Sequence, residues 1–213
     1  MKSWQVVSFA IAFAAAALSQ PGPAQAAALT VVEVSAPQVN CVFNATCKVI
    51  ISDSTGKLLN SSYGDKAFLQ SRTYVAQPGT PGAGTTAYEY RIALDKTAFS
   101  ECLAGMVIDF GPVKSLPYPG HPPAHVFVTT QGGIGTVGIK SVEQDGSVLT
   151  VTFTKFLCAG DSTYFFGLAA TAAPQTGTAT LFGSGVPAFI QTAARVPQHL
   201  VAPPGPQNLL VKP

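Results

Sequence analysis

From Leu29 to Thr192 the chain is a succession of short apolar or β-branched runs separated by Gly, Pro, Asn and Asp, and no stretch keeps a helical apolar stripe for several turns. That pattern restricts it to an all-β architecture. The expected strands are Leu29 to Ser35, Lys48 to Ser52, Phe68 to Val75, Ala87 to Leu94, Met106 to Phe110, His125 to Thr129, Val137 to Val142, Ser147 to Phe156, Thr163 to Ala169, Thr178 to Phe182 and Ala188 to Thr192. Along one of them Leu149, Val151 and Phe153 alternate with Thr150, Thr152 and Thr154, as in a sheet with one face buried and one wet. Gln144-Asp145-Gly146-Ser147 predicts a tight hairpin turn, since Asp-Gly tolerates positive φ at both central positions. Asp95 to Cys102 offers a single helical turn capped by Asp95. The spacing predicts an antiparallel β-sandwich, immunoglobulin-like or jelly-roll-like, of about nine to eleven strands.

Residues 1–26 read differently. Lys2 precedes the uncharged run Val6 to Leu18, a Pro21-Gly22-Pro23 break and Ala24-Gln25-Ala26, the parts of a cleavable secretory peptide with cleavage expected after Ala26. Its short, alanine-rich form is of a bacterial kind, and a secreted or periplasmic location follows. Residues 27–195 then form a single β-sandwich domain, and residues 196–213, with Pro203, Pro204 and Pro206, a Pro-rich tail.

Four cysteines follow the leader, an even number in an exported chain, so disulfides are expected rather than a zinc site. Of the three possible connectivities, Cys41 with Cys47 and Cys102 with Cys158 is favoured. Zinc ligands come in closely spaced pairs, whereas Cys102 and Cys158 stand alone.

Charged residues make up 10% of the chain, and Lys48, Lys57, Lys66, Arg72 and Arg91 are scattered singly, which excludes nucleic acid as a partner. No segment after the leader is long and apolar enough for a membrane span, and the Pro-rich end suits an outer-membrane barrel badly. The one Trp, Trp4, falls in the leader, which weakens a sugar-binding reading.

Each chemical motif has a simpler explanation. Gly133-Ile134-Gly135-Thr136-Val137-Gly138 has the letters of a dinucleotide fingerprint, but a strand-like run follows it where a helix is needed, so it reads as a glycine-rich turn. Gly160-Asp161-Ser162 is similar to the nucleophile block of one lipase and esterase family; only His199 could serve as base, and Asp161 and Ser162 read as turn residues. His121-Pro122-Pro123-Ala124-His125 is a residual metal candidate through His121 and His125, which the extended proline path sets apart. Glu89, Asp109, Glu143 and Asp145 read as surface or salt-bridged carboxylates, with Arg91 or Arg72 as partners, rather than a hydrolytic pair. Asn44-Ala45-Thr46 and Asn60-Ser61-Ser62 fit the glycosylation pattern. No catalytic residue and no cofactor is expected.

Five blocks together, Phe68 to Tyr74, Ala87 to Arg91, Asp109 to Val113, Gln131 to Gly138 and Tyr164 to Ala169, resemble a group of exported bacterial proteins without assigned activity. The resemblance implies export and a β-rich domain with two disulfides, and brings no catalytic residue. The function expected is that of a non-enzymatic, envelope-associated or adhesive binding module for an extracellular or envelope ligand, with its site in the loops Gln77 to Thr85 and Lys114 to Pro123. The rivals are a secreted hydrolase using Asp or Glu and a pilus-type structural subunit.

Overall fold

The computed structural model describes residues 26–58, 67–96, 102–183 and 190–199. In chain order the elements are β1 (Ala27–Leu29), β2 (Val31–Ser35), α1 (Ala36–Asn40), β3 (Asp53–Leu58), β4 (Ala67–Val75), β5 (Thr86–Leu94), β6 (Leu103–Asp109), β7 (Val126–Gln131), β8 (Ile139–Asp145), β9 (Val148–Leu157), β10 (Phe166–Ala170), β11 (Pro174–Gly183) and β12 (Ile190–Pro197). They form a β-sandwich of two six-stranded sheets, one in the order β1-β8-β9-β6-β11-β12 and the other β2-β7-β10-β5-β4-β3. Neighbours are antiparallel except β2 and β7, which run parallel.

The two sheets close over one apolar layer. In β5 the period of two sends Tyr88, Tyr90 and Ile92 inward, where they cluster with Met106, Ile108 and Val151 of the facing sheet. The Tyr88 ring meets Phe110 edge-on at 5.3 Å. Tyr90 crosses the core, its hydroxyl donating to the Arg195 carbonyl of β12 at 2.5 Å, and the Arg195 amide donates to Ser71 Oγ of β4 at 3.1 Å. The same margin is bound outside by the ion pair of Arg195 with Asp53.

The second sheet is covered on its outer face as well. Phe127, Tyr74, Ala87 and Ala169 point outward and are buried under Val39 of α1, Val42 and Phe43 of the loop that follows, and Leu116 and Tyr118. Phe43 stands edge-on to Tyr74 at 5.2 Å. Burying a ring of this size contributes about 2 to 3 kcal/mol, and Phe43 is fully buried. The Cys41–Cys47 disulfide pins the loop that carries it. The other disulfide, Cys102–Cys158, joins the residues just outside the Leu103–Leu157 end of the β6–β9 ladder. Both are the pairings favoured by spacing, and with every cysteine bonded they suggest an oxidising, extracytoplasmic compartment.

Several elements differ from expectation. The run from Leu29 to Ser35 is two strands in two sheets, because the chain crosses over at Thr30, whose carbonyl takes the amides of His125 and Val126. Lys48 to Ser52 is no strand: Ile50 is 77% exposed, and the ladder on β4 is completed instead by Asp53–Leu58. β4 supplies the pairing groups there, and a polar edge strand protects the sheet margin. α1 was not expected, since a five-residue helix with proline in its first turn has no periodicity to read. The β8–β9 turn is centred on Gly146-Ser147, one residue later than expected, and Gly146 alone of the two takes positive φ, +58°. β12 runs two residues past Arg195, to Pro197. Most of the turn expected at Asp95 to Cys102, and Asn60-Ser61-Ser62, lie outside the described residues.

Removing Cys102–Cys158, which closes 56 residues, should lower the unfolding free energy by about 4 kcal/mol, against about 2 kcal/mol for Cys41–Cys47, which closes six. Guanidinium denaturation of the paired Cys→Ser variants measures both losses, and the reverse ranking would contradict the account.

Candidate functional site

Because Tyr88 and Tyr90 face inward, Glu89 between them must face outward, on a sheet face that other elements cover. β4 places Arg72 directly opposite it in the ladder. Arg72 Nη2 donates to Glu89 Oε2 at 2.5 Å, and the Tyr74 hydroxyl donates to Oε1 at 2.9 Å. Both carboxylate oxygens are thereby engaged, and Glu89 is 4% exposed. On the other side of Glu89 its ladder partner is Gly167, where a Cβ would meet the Phe127 ring and the Tyr88 carbonyl, so the close approach requires glycine.

Arg72 is held a second way. Its guanidinium carbon lies 3.7 Å from the Phe165 ring centroid, and its side chain remains 23% exposed. Arg91, the next outward residue on β5, lies 5.9 Å from the same ring. Above this floor is a pocket of about 300 Å³, whose walls are Val39 of α1, Val49, Thr129 of β7 and the Gly132–Ile134 loop. That volume is at the lower end of small-molecule sites. Gly132 takes φ +70°, and a Cβ on Gly133 would meet the Thr129 carbonyl, so these glycines fold the loop tightly over the pocket rim.

Burial pushes the Glu89 carboxyl above its ordinary value of 4.5, opposed by the Arg72 charge and by its hydrogen bonds to Tyr74 and Arg72. Burial and then the Glu89 charge push the Tyr74 phenol well above 10.0. Burial, with the Arg72 charge behind it, lowers the Arg91 guanidinium. A buried, hydrogen-bonded ion pair lining a cavity marks a site candidate.

Of the residues singled out in the sequence, Glu89, its expected partner Arg72, and Gly133 and Ile134 of the glycine-rich motif line the pocket, and the others lie elsewhere. His199 turns Nε2 to Asp109 Oδ1 at 2.8 Å and Nδ1 to the Pro197 carbonyl at 3.0 Å, so neither ring nitrogen is directed at a hydroxyl nucleophile. Asp161 is occupied as a turn carboxylate, accepting from the Cys158 amide and Thr136 Oγ1 and pairing with Lys155; Ser162 bridges to Ala93 through its backbone. His121 Nε2 donates to the Glu33 carbonyl at 2.9 Å, and His125 Nδ1 accepts from the Thr30 amide at 3.3 Å, so each imidazole ties a loop to the margins of β2. Among the described residues no group of three or more His, Cys, Asp or Glu side chains is placed to hold a metal. Gly133 to Gly138 opens no helix: it turns into a bridge from Val137 to Thr163 and then into β8. Glu143 and Asp145 are exposed on β8. Asn44 is buried, its Oδ1 accepting from the Thr46 amide and hydroxyl within the disulfide loop.

No family model, curated protein or solved structure matches this chain. Its site is therefore defined by geometry alone. The two loops expected to carry binding lie outside the pocket lining, each anchored by a few buried residues and exposed at the rest. Leu116 exchanges backbone hydrogen bonds with Ala124, and Tyr118 is buried against Phe127. The Gln77–Thr85 turn is bound to the disulfide loop by Gln77 and Gly82 amides donating to the Phe43 and Val42 carbonyls. Among the described residues no helix is long and apolar enough to cross a membrane.

A carboxyl raised by folding stabilises the folded state fully below its unfolded value near 4.5, and the contribution is lost as pH rises through the folded value. The stability advantage of the wild type over Glu89→Gln should therefore shrink as pH rises from 4.5 toward neutrality. Urea denaturation across that range measures it. An advantage that grows toward neutral pH would contradict the assignment.

Proposed function

We propose that this chain is an exported, non-enzymatic β-sandwich that binds a small ligand outside the cytoplasm, in the pocket over Arg72, Glu89 and Phe165. Export is supported by the leader-like residues 1–26 and by the two disulfides. The observation that carries the binding reading is the ion pair itself. A buried pair adds little or nothing to stability over apolar residues of the same volume. Here it holds a guanidinium against an aromatic ring in the wall of a cavity. Both Glu89 oxygens are already engaged, so the carboxylate orients Arg72 rather than reacting. In this reading the envelope or extracellular ligand expected from the sequence is a small molecule.

Two-dimensional amide NMR of the exported chain against a fragment library tests this. The expected shifts cluster on Val39, Thr129, Ile134 and Phe165, and Ala36→Trp, which fills the space from α1, abolishes them without lowering the thermal midpoint. Shifts that persist in that variant would defeat the pocket assignment. Turnover of a glycoside or ester panel, lost in Asp109→Ala, would make the protein a hydrolase instead.

A further inference from the structure

The pocket's charge and shape define the class of ligand. Two guanidiniums, Arg72 and Arg91, flank Phe165, while Glu89 is the one carboxylate among the lining residues. Arg72 lines the pocket with Glu89, and the surplus positive charge is that of Arg91, which is not a lining residue but lies 5.9 Å from the Phe165 ring. Arg72 Nη2 is committed to Glu89, whereas Nη1 makes no hydrogen bond among the described residues; Arg91 has no carboxylate partner among them. Thr129 and Asn40 also line the pocket. The other lining side chains include the apolar Val39, Val49 and Ile134. A cavity that combines a guanidinium with apolar side chains matches an organic anion with an apolar body.

Resting on the binding reading above, we infer that the pocket takes a small monocarboxylate with an apolar body, its carboxylate against Arg72 Nη1 and Thr129 and its body between Val39, Val49 and Ile134. A carboxylate needs few donors, and charge-assisted hydrogen bonds to guanidinium are stronger than neutral ones. A phosphate group, with three acceptor oxygens and up to two charges, would be left under-coordinated here. The guanidinium plane is already fixed by Phe165 and Glu89, so little order is lost when the anion arrives.

The probes are benzoate, phenylacetate and cyclohexanecarboxylate, with benzamide, benzylamine and inorganic phosphate as comparators, titrated into the oxidised chain near neutral pH and followed by amide NMR. At the pocket amides the carboxylates should bind at least about tenfold more tightly than benzamide, the worth of a hydrogen bond to a charged group. Arg91→Gln, which removes surplus charge and leaves the Arg72–Glu89 pair intact, should weaken benzoate several-fold and leave benzamide unchanged. Should that variant fail to fold, the comparison of probes on the wild type decides alone. Benzamide equal to benzoate, or benzylamine tighter, overturns the anionic assignment while leaving a ligand pocket in place; phosphate equal to benzoate overturns the apolar body. Pocket amides unmoved by these probes and by the whole fragment library overturn the binding reading itself.

Discussion

The structure depends on one sheet being buried on both faces. An antiparallel sheet in a sandwich ordinarily shows one face to water, but every residue of β10 and most of β5 are buried. The inner face packs against the second sheet. The outer face lies under a layer that has little regular structure: α1, the loop pinned by Cys41–Cys47, and the segment around Leu116 and Tyr118. A disulfide across six residues is what allows so short a loop to hold Phe43 in place.

That double burial creates the site. Once the outer face is covered, the alternation that sends Tyr88 and Tyr90 inward traps Glu89 out of water, and a trapped carboxylate needs a partner. Arg72 supplies one directly across the ladder and Tyr74 a second. The cover stops short above Phe165, between α1 and the Gly132–Ile134 loop, and the pocket is the gap. The guanidinium proposed to meet the ligand thus owes its position to the arrangement that neutralises Glu89, and Arg91 supplies the surplus charge.

What could be read from the chain beforehand was what local chemistry decides. A tight β8–β9 turn, to within one residue, the strands from Phe68 to Leu94 and the pairing of cysteines six and 56 residues apart all follow from turn preference, alternation and spacing. The split at Thr30, which meets His125 and Val126, and the anchoring of Lys114 on Ala169 depend on partners far along the chain, and the polar edge strand Asp53–Leu58 is set by its pairing with β4. Proline and glycine in Lys114 to Pro123 read as a free loop, although Leu116 and Tyr118 mark it as cover. Glu89 was placed with Arg72 or Arg91 as a salt bridge, not as a site. A signal was available, since a β4–β5 hairpin centred on Thr80-Pro81 puts Arg72 opposite Glu89. Nothing local showed that this face would be covered.

Phenol ionisation tests the double burial most directly, because the tyrosines sample both faces. Tyr88 and Tyr90 lie between the sheets and Tyr74 and Tyr118 under the outer layer, and burial raises all four above the ordinary 10.0. In a titration of the folded chain followed by residue-resolved NMR, Tyr74 and Tyr118 should stay protonated at about pH 11, alongside Tyr88 and Tyr90. Ionisation of Tyr74 and Tyr118 near 10, with Tyr88 and Tyr90 still protonated, would show the outer face open to water and contradict the account.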